Sequence, residues 1–325
     1  MRIAVSGSIA LDHLMVFPGQ FTDQLLPERM DKVSLSFLVE ELAVRPGGVA
    51  ANIAFGLGSL GVPSVLVGAV GADFDGHRER LERRRVDTRS VHVSDSRQTA
   101  RFLCTTDARQ NQIASFCSGA MVEMRNVRLG PVVDGTGGLD LVVIGPSDPE
   151  AMLLHTRECR ERRIPFIADP SQQLATLSGE AVRSLVDGAT FLFTNEYEHD
   201  LLLSRTEWSR GTVLARVGVW ITTLGERGAR AEIAGRAPLV VPAVPVPSPV
   251  DPTGVGDAFR AGFLWGRYWR LGLERAMQAG CVLASIVLEC PGGQEYTVDR
   301  ASFSARAARV YGGEAAGEIE AKLRT

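Results

Sequence analysis

Residues 251–259 read Asp251-Pro252-Thr253-Gly254-Val255-Gly256-Asp257-Ala258-Phe259. Two glycines permit a tight turn, and the amphipathic segment 256–269 that starts inside this stretch has helical spacing. The first N–H groups of a helix lack internal acceptors, and the positive end of the helix dipole adds to them, so such a turn suits an anion. A carboxylate inside the turn would repel a bound phosphate. Asp257 makes chemical sense there if it takes a proton from a hydroxyl attacking that phosphate. A plain helix start, with Asp257 favourable to the dipole by roughly 0.3–1 kcal/mol, accounts for the same residues equally well.

Working outward, residues 237–250 carry five prolines (Pro238, Pro242, Pro245, Pro247, Pro249) and deliver the chain to this turn in an extended, stiff form. Upstream, short apolar runs at 2–6, 65–70, 139–144, 165–168, 190–193 and 219–222 read as strands buried on both faces. Helix-length segments at 48–60, 76–84, 149–162, 179–187, 196–203, 256–269 and 273–288 alternate with or follow them. The alternation predicts an α/β fold with a mostly parallel central sheet and helices on both faces. Two stretches break the rhythm. Residues 13–46 hold short apolar pieces (33–39, 42–44) without a good helix, and 99–106 with 111–117 read as a hairpin. Together they predict a small β lid (13–46 and 99–118) inserted in a core of 1–12, 47–98 and 119–325, covering the ligand-binding edge of the sheet.

The composition narrows the function. The 325 residues carry 35 basic and 38 acidic side chains, a net charge of −3, and so no global field favouring nucleic acid or a membrane surface. Only Lys32 and Lys322 are lysines, which leaves no internal Walker lysine and no Schiff base. Five cysteines without a CxxC pair, and no secretory signal, suggest reduced thiols in the cytoplasm. The uncharged stretch 46–72 has the length of a membrane span, but Gly61 and Pro63 divide it into a buried helix and a strand. Within it, Gly56-Leu57-Gly58-Ser59-Leu60-Gly61 matches the GxGxxG pattern, yet it follows a helix start and not a strand, so a dinucleotide site is not read from it.

A second motif, Gly47-Gly48-Val49-Ala50-Ala51-Asn52, opens that helix. The paired glycines suit a hinge or a close ligand approach, with Asn52 bonding a ligand hydroxyl, or else a small-residue helix packed close to the sheet. Taken together and in this order, the two motifs resemble those of the ribokinase-like (PfkB) family of small-molecule kinases. Asn195-Glu196-Tyr197-Glu198 is similar to the family's Asn-x-x-Glu element. Thr222-Thr223-Leu224-Gly225-Glu226-Arg227-Gly228 resembles its strand and loop against the nucleotide, and Gly7-Ser8 with Asp12 resembles its hydroxyl-binding element. The matches run from residue 7 to about 290. Within the family, segments 6–15, 34–38, 169–174 and 257–263 look like adenosine kinases of the actinobacterial type.

The resemblance implies transfer of the ATP γ-phosphate to the 5′-hydroxyl of adenosine. Asp257 is then the base, and the backbone of Gly254, Val255, Gly256 and Asp257 the anion hole. Ser8, Asp12, Gly48 and Asn52 belong to the ribose side. Asn195, Thr223, Gly225, Arg227, Gly228 and Gly256 belong to the ATP side. Asn195 and Glu198 are expected to organise Mg2+ mostly through water, and Asp251 and Thr253 to contribute to a K+ site. Ser36, Phe102 and Phe116 fall in the lid. The two phenylalanines, on opposite hairpin arms, would stack on a purine or would simply bury the lid. Gln172 and Gln173 follow a strand end and would reach base or ribose edges, or solvent. With lysine absent from this region, Arg260 or Arg227 is left to supply cationic help.

Other residues carry less. His13 reads as lid support, and Cys104 and Cys117 as free thiols. Exposed edge strands and apolar residues such as Leu35, Phe37 and Val39 suit a homodimer through the lid. The rivals are a family member acting on ribose, fructose, inosine or guanosine, and an inactive ligand sensor on the same fold.

Overall fold

The computed structural model describes residues 1–24, 36–109 and 111–323. In chain order its strands are β1 (Ile3–Ser6), β2 (Ala10–Val16), β3 (Glu41–Gly47), β4 (Ser64–Val70), β5 (Val86–Asp87), β6 (Val91–Val93), β7 (Ala100–Thr106), β8 (Gln112–Cys117), β9 (Leu141–Ile144), β10 (Phe166–Ala168), β11 (Phe191–Asn195), β12 (Val219–Thr223), β13 (Ala229–Glu232) and β14 (Leu239–Val241). Ten of them form one sheet in the order β14-β13-β12-β11-β10-β9-β1-β4-β5, with β6 also paired to β4. All neighbours are parallel except along β12-β13-β14, which is antiparallel.

The helices are α1 (Phe21–Gln24), α2 (Val49–Ser59), α3 (Asp75–Glu82), α4 (Leu129–Thr136), α5 (Pro149–Glu161), α6 (Gly179–Val186), α7 (Glu196–Thr206), α8 (Arg210–Leu214), α9 (Val255–Tyr268), α10 (Leu273–Val287) and α11 (Arg300–Glu320). Two apolar layers sandwich the sheet. Ile3 and Val5 of β1 join α2, α9, α10 and α11 in one layer, while Ala4 joins α4 to α8 in the other. Burial on both faces is why the strands read as short apolar runs without alternation. Within the first layer α2 crosses α9 closely: a Cβ on Gly56 would come within 2.5 Å of the Ala261 Cβ. The GxGxxG pattern is thus a helix-packing feature.

Expected helices and strands fall within about four residues of the observed ones. The sequence pattern gives no sign of α4, α8, α11 or the edge strands β13 and β14. Strand β14 and helix α8 are too short to show a period. Helix α11 is rich in alanine and carries Gly312 at φ +85°, which interrupts its helical geometry.

The small sheet is built in the order β3-β2-β7-β8. It starts at Ala10, so Ala10–Asp12 belong to it and not to the core as the sequence suggests. The segment 33–35 lies outside the described residues. Phe37 packs on Phe17 and Phe21, with ring centroids 5.0 and 4.9 Å away. It therefore turns inward, contrary to the expectation that it forms an exposed dimer surface. Side chains alternate across this sheet. The register sets Arg45, Asp12, Phe102 and Phe116 in one row, and Val44, His13, Leu103 and Ser115 in the next, on the opposite face. Among the described residues no helix is long and apolar enough to cross a membrane.

Candidate functional site

From β1 the sheet is extended by β4 on one side and by β9 on the other. The C-terminal ends of β1 and β9 therefore part at a topological switch point, where open α/β sheets form ligand crevices. Two loops meet there: the Ser8 amide donates to the Pro146 carbonyl at 2.9 Å. The Ser8 hydroxyl accepts the Val49 amide at 3.0 Å, and its carbonyl accepts the Ala50 amide at 3.1 Å. Ser8, expected beside a ribose, holds the start of α2.

Helix α9 starts at Gly254, whose φ is +77° and whose added Cβ would sit 2.5 Å from the Gly293 Cα. Among the described residues no side chain caps this helix. Asp251 ties the turn to the following loop, accepting the amides of Thr253 and Gly292, each at 2.8 Å. Half-buried Asp257 lies in the first turn, and the Asn52 Nδ2 donates to its Oδ2 at 2.9 Å. Burial pushes the Asp257 carboxyl up to about 7, against the lowering effect of Arg260 and Asn52, while Asp169 and Asp12 add to the rise. Asp12 is also pushed up to about 7, by burial and by the nearby Asp251. A Cβ at Gly47 would meet the Asp12 Cγ at 2.5 Å, so glycine makes room for this carboxyl.

Below the turn, Arg260 is buried and ion-paired with buried Asp169, its Nη2 donating to Oδ1 at 2.6 Å. Its Nη1 donates to the Gly256 carbonyl at 3.0 Å. Burial disfavours the charge, but Asp169, Asp257 and Glu198 hold Arg260 above its ordinary range. Its guanidinium thus braces the turn from within. Arg227 is exposed and paired with Glu196.

Two cavities flank the turn. One of about 770 Å³ is lined by Thr223, Gly225, Arg227, Gly228 and Gly256, with Val244, Phe259 and Leu288 as apolar walls. It gathers the residues expected on the ATP side except Asn195, which pairs with Thr223 in the sheet. The other, about 540 Å³, lies under the small sheet and is lined by Arg45, Phe102, Cys104, Asp251 and Thr253. Phe116 stands opposite Phe102 in the register, and is 45% exposed. Ser36 is exposed on the loop before β3.

Asn195 and Glu198 form a capping box at the start of α7: each side chain accepts the other's amide, both at 2.8 Å. Burial pushes the Glu198 carboxyl up, opposed by Arg260. Gln173 spends its side chain on the framework, donating to the Ser147 carbonyl at 2.7 Å and accepting from the Thr176 hydroxyl at 2.8 Å. Gln172 is exposed, accepting only the neighbouring Ser171 hydroxyl at 2.8 Å. His13 braces the small sheet beside Arg101, 3.3 Å away. Among the described residues no three His, Cys, Asp or Glu side chains group to hold a metal ion.

Sequence reasoning does not find Asp169 as the partner of Arg260, Arg45 in the second cavity, or Gln294, which donates to the Asn52 Oδ1 at 2.9 Å. Asp169 and Arg260 are 91 positions apart and Gln294 lies 242 from Asn52, so no local pattern links them.

The pfkB family carbohydrate kinase model matches residues 8–300. The nucleoside kinase of Methanocaldococcus jannaschii is 29% identical over 295 residues, covering 90% of this chain and 92% of that protein. Bacillus subtilis ribokinase is 26% identical over 265 residues, covering 81% and 84%. Among solved structures, Burkholderia thailandensis nucleoside kinase with inosine superposes with a TM-score of 0.86 at 32% identity, covering 95% of this chain and 98% of that one. The same enzyme with ADP and inosine gives 0.84 at 33% identity, covering 95% and 96%.

Proposed function

The chain belongs to the pfkB family of carbohydrate kinases and has its ribokinase-like fold, and on that premise we propose that it transfers the γ-phosphate of ATP to the 5′-hydroxyl of adenosine, yielding AMP and ADP. The observation that carries this reading is a pair of cavities that flank an uncapped helix start, whose first turn holds a half-buried carboxyl with a raised pKa. A base with a pKa near the working pH is effective at taking a proton in the transition state.

In this mechanism the nucleoside occupies the cavity under the small sheet, with its base against Phe102 and Phe116 and its ribose hydroxyls toward Asp12. ATP occupies the opposite cavity along Thr223, Gly225 and Gly228, its adenine against Val244, Phe259 and Leu288. Asp257 accepts the proton of the 5′-hydroxyl as that oxygen forms its bond to the γ-phosphorus and the bond to ADP breaks. The Val255 amide donates to the Pro252 carbonyl at 3.3 Å, so the amides of Gly256 and Asp257 are the ones that face the charge spreading over the transferred group. Asn195 and Glu198, occupied with each other in the cap, are the residues that would contact Mg2+ through water, and such an ion would neutralise phosphate charge. Asp251 and Thr253 are the residues that would border a K+ ion, an electrostatic aid to the turn. Closure of the small sheet excludes water from the turn.

Inosine as the acceptor is a second reading, favoured by the likeness to a nucleoside kinase that binds inosine. A sugar acceptor fits less well, because two aromatics in one row of the small sheet have no flat ring to stack on. An inactive sensor has no need of Asp257 or its hydrogen bond to Asn52. The outer face of the small sheet exposes Leu42, Val44, Leu103 and Ile113, which supports a homodimer through that face. Five cysteines without disulfides suit a reducing cytoplasm.

ADP release from MgATP tests the reading across adenosine, inosine, guanosine, ribose, fructose and no acceptor, with and without K+. Preferential turnover of adenosine is the expected result. Turnover of ribose or fructose alone removes the stacking role of Phe102 and Phe116. Silence from folded protein across the panel removes the kinase reading.

A further inference from the structure

Behind Asp257 a line of buried side chains leads away from the two cavities. The Asn52 Nδ2 donates to the Asp257 Oδ2 at 2.9 Å, the Gln294 Nε2 donates to the Asn52 Oδ1 at 2.9 Å, and the His77 Nε2 stands 3.2 Å from the Gln294 Oε1. Asn52, Gln294 and His77 are at most 5% exposed. Gln294 is fixed from outside as well, since Arg80 donates to its backbone carbonyl and pairs with Glu295 at 3.2 Å. His77 packs edge-on against Phe74, with centroids 5.5 Å apart.

The polarity of the line follows from its last member. An ionised carboxylate only accepts, so Asn52 must turn its amide nitrogen to Asp257 and its oxygen to Gln294. Gln294 must then turn its nitrogen to Asn52 and its oxygen to His77. His77 is left with the donor role, which places its proton on Nε2. That state agrees with its surroundings. Burial, helped by the charge of Arg80, pushes the imidazole pKa down to about 4 and so holds it neutral, and among the described residues its Nδ1 has no hydrogen-bond partner.

We propose that Gln294 and His77 are positioning residues for the base: through Asn52 they hold a donor against Oδ2 of Asp257, so that the proton leaving the substrate hydroxyl is taken by Oδ1. This rests on the kinase reading given above. Protonation of Oδ2 would set two donors face to face, at Oδ2 and at the Asn52 Nδ2, and could be relieved only by turning two buried amides. The proton that leaves the 5′-oxygen therefore ends on Oδ1, the oxygen without a hydrogen bond among the described residues. The charged and titratable groups around the ends of the line are Arg260, Asp169, Asp12 and Tyr296 at Asp257, and Arg80 at His77. None of these five belongs to it.

Asn52 was expected to bind a ribose hydroxyl. Its oxygen and one of its two amide hydrogens are already used, so its main service is to the base.

The test combines kinetics and spectroscopy on the full chain. Gln294→Met keeps shape and removes both polar contacts, and His77→Phe keeps the ring packing and removes the donor. Each should lower kcat about tenfold with little change in the nucleoside KM. Each should also move the acid limb of kcat/KM to higher pH, because the carboxylate loses a stabilising donor. His77→Gln, which restores a donor near Nε2, should return both values toward wild type. Melting curves report folding separately. Variants that only melt earlier, or turn over slowly with the acid limb unmoved, overturn the proposal. Imidazole 15N NMR of the wild type, assigned by the signal missing in His77→Phe, should show the Nε2–H tautomer. The Nδ1–H tautomer overturns the proposed direction whatever the enzyme phosphorylates, whereas failure of the acceptor panel overturns only the kinase reading.

Discussion

Helices α7 and α9 both begin on a backbone that suits an anion, and both carry acidic residues in their first turn. At α7 the chain closes its own start: Asn195 and Glu198 exchange amide hydrogen bonds, leaving little unsatisfied. At α9 the residue at the cap position is a glycine at positive φ without a side-chain acceptor, and the acidic residue is held by Asn52 from another helix. The difference teaches where to look for chemistry. A helix start that satisfies itself needs no ligand to complete it, whereas one that is left open, and whose carboxyl is held from elsewhere, is suited to a ligand.

The sharpest way to break this contrast is Asp257→Asn. If the open start is catalytic, turnover should fall by about 10²–10⁴-fold, with nucleoside binding, measured by calorimetry, largely kept. Folding should not suffer. The carboxyl rises from 3.8 to about 7 on folding. Its contribution to stability is therefore complete below the ordinary carboxylate range and is lost as pH rises through about 7. Above that pH the native state carries an unfavourable charge, so the asparagine variant should melt no lower than wild type. Loss of binding in a folded variant would make Asp257 a substrate ligand and not a base.

Next in size is Gly254→Ala. A side chain there adds strain of about 1–3 kcal/mol at φ +77° and meets the Gly293 Cα at 2.5 Å. The turn must shift, and turnover should drop by about a hundredfold with a lower Tm. Unchanged turnover would mean that the open amides do not face the reacting phosphate. The pH profile is the third test. With Asp257 needed as the carboxylate, kcat/KM should fall about tenfold per pH unit on the acid side of about 7. Asp12, raised to a similar value, steepens that limb where both must be ionised. A limb near the ordinary carboxylate range would show that neither group is held up by its surroundings.

The same contrast explains what the sequence discloses. Local, chain-continuous features are legible: the glycines of 251–257, the paired glycines before α2, and the strand runs buried on both faces. So is the small sheet, because its hairpin has a period and a polar turn. What stays hidden is made by sequence-distant contact. The Asp169–Arg260 pair, the Gln294 contact to Asn52 and the place of Arg45 over Gly292 each join segments whose proximity only the fold creates. The reading is also incomplete where one side chain has two possible partners. Ser8 and Gln173 are residue types that bind ligands, yet the backbone claims them first, at Val49 and at Ser147. Asn195 and Glu198 look like metal organisers by motif, and their spacing of three is equally the spacing of a capping box.

That ambiguity sets the smallest and last test. Asn195→Ala removes the acceptor for the Glu198 amide and frees Glu198 from its reciprocal bond. Loss of a cap costs about 1 kcal/mol, so the Tm should fall by a few degrees at most, with kcat for the preferred acceptor reduced about twofold or less if the start of α7 is only a joint. A rise in the Mg2+ concentration needed for half-maximal rate, out of proportion to the change in Tm, would give the residue a second role. Asn195→Asp separates the two. It retains a side-chain oxygen for the cap and adds a charge beside the phosphates. If the closed start is purely structural, this variant should keep the melting temperature and leave the Mg2+ dependence as it is. If it helps to organise the ion, the added carboxylate should lower the Mg2+ requirement while the cap remains intact, and the division between a closed and an open helix start would have to be redrawn as one between two parts of a single phosphate site.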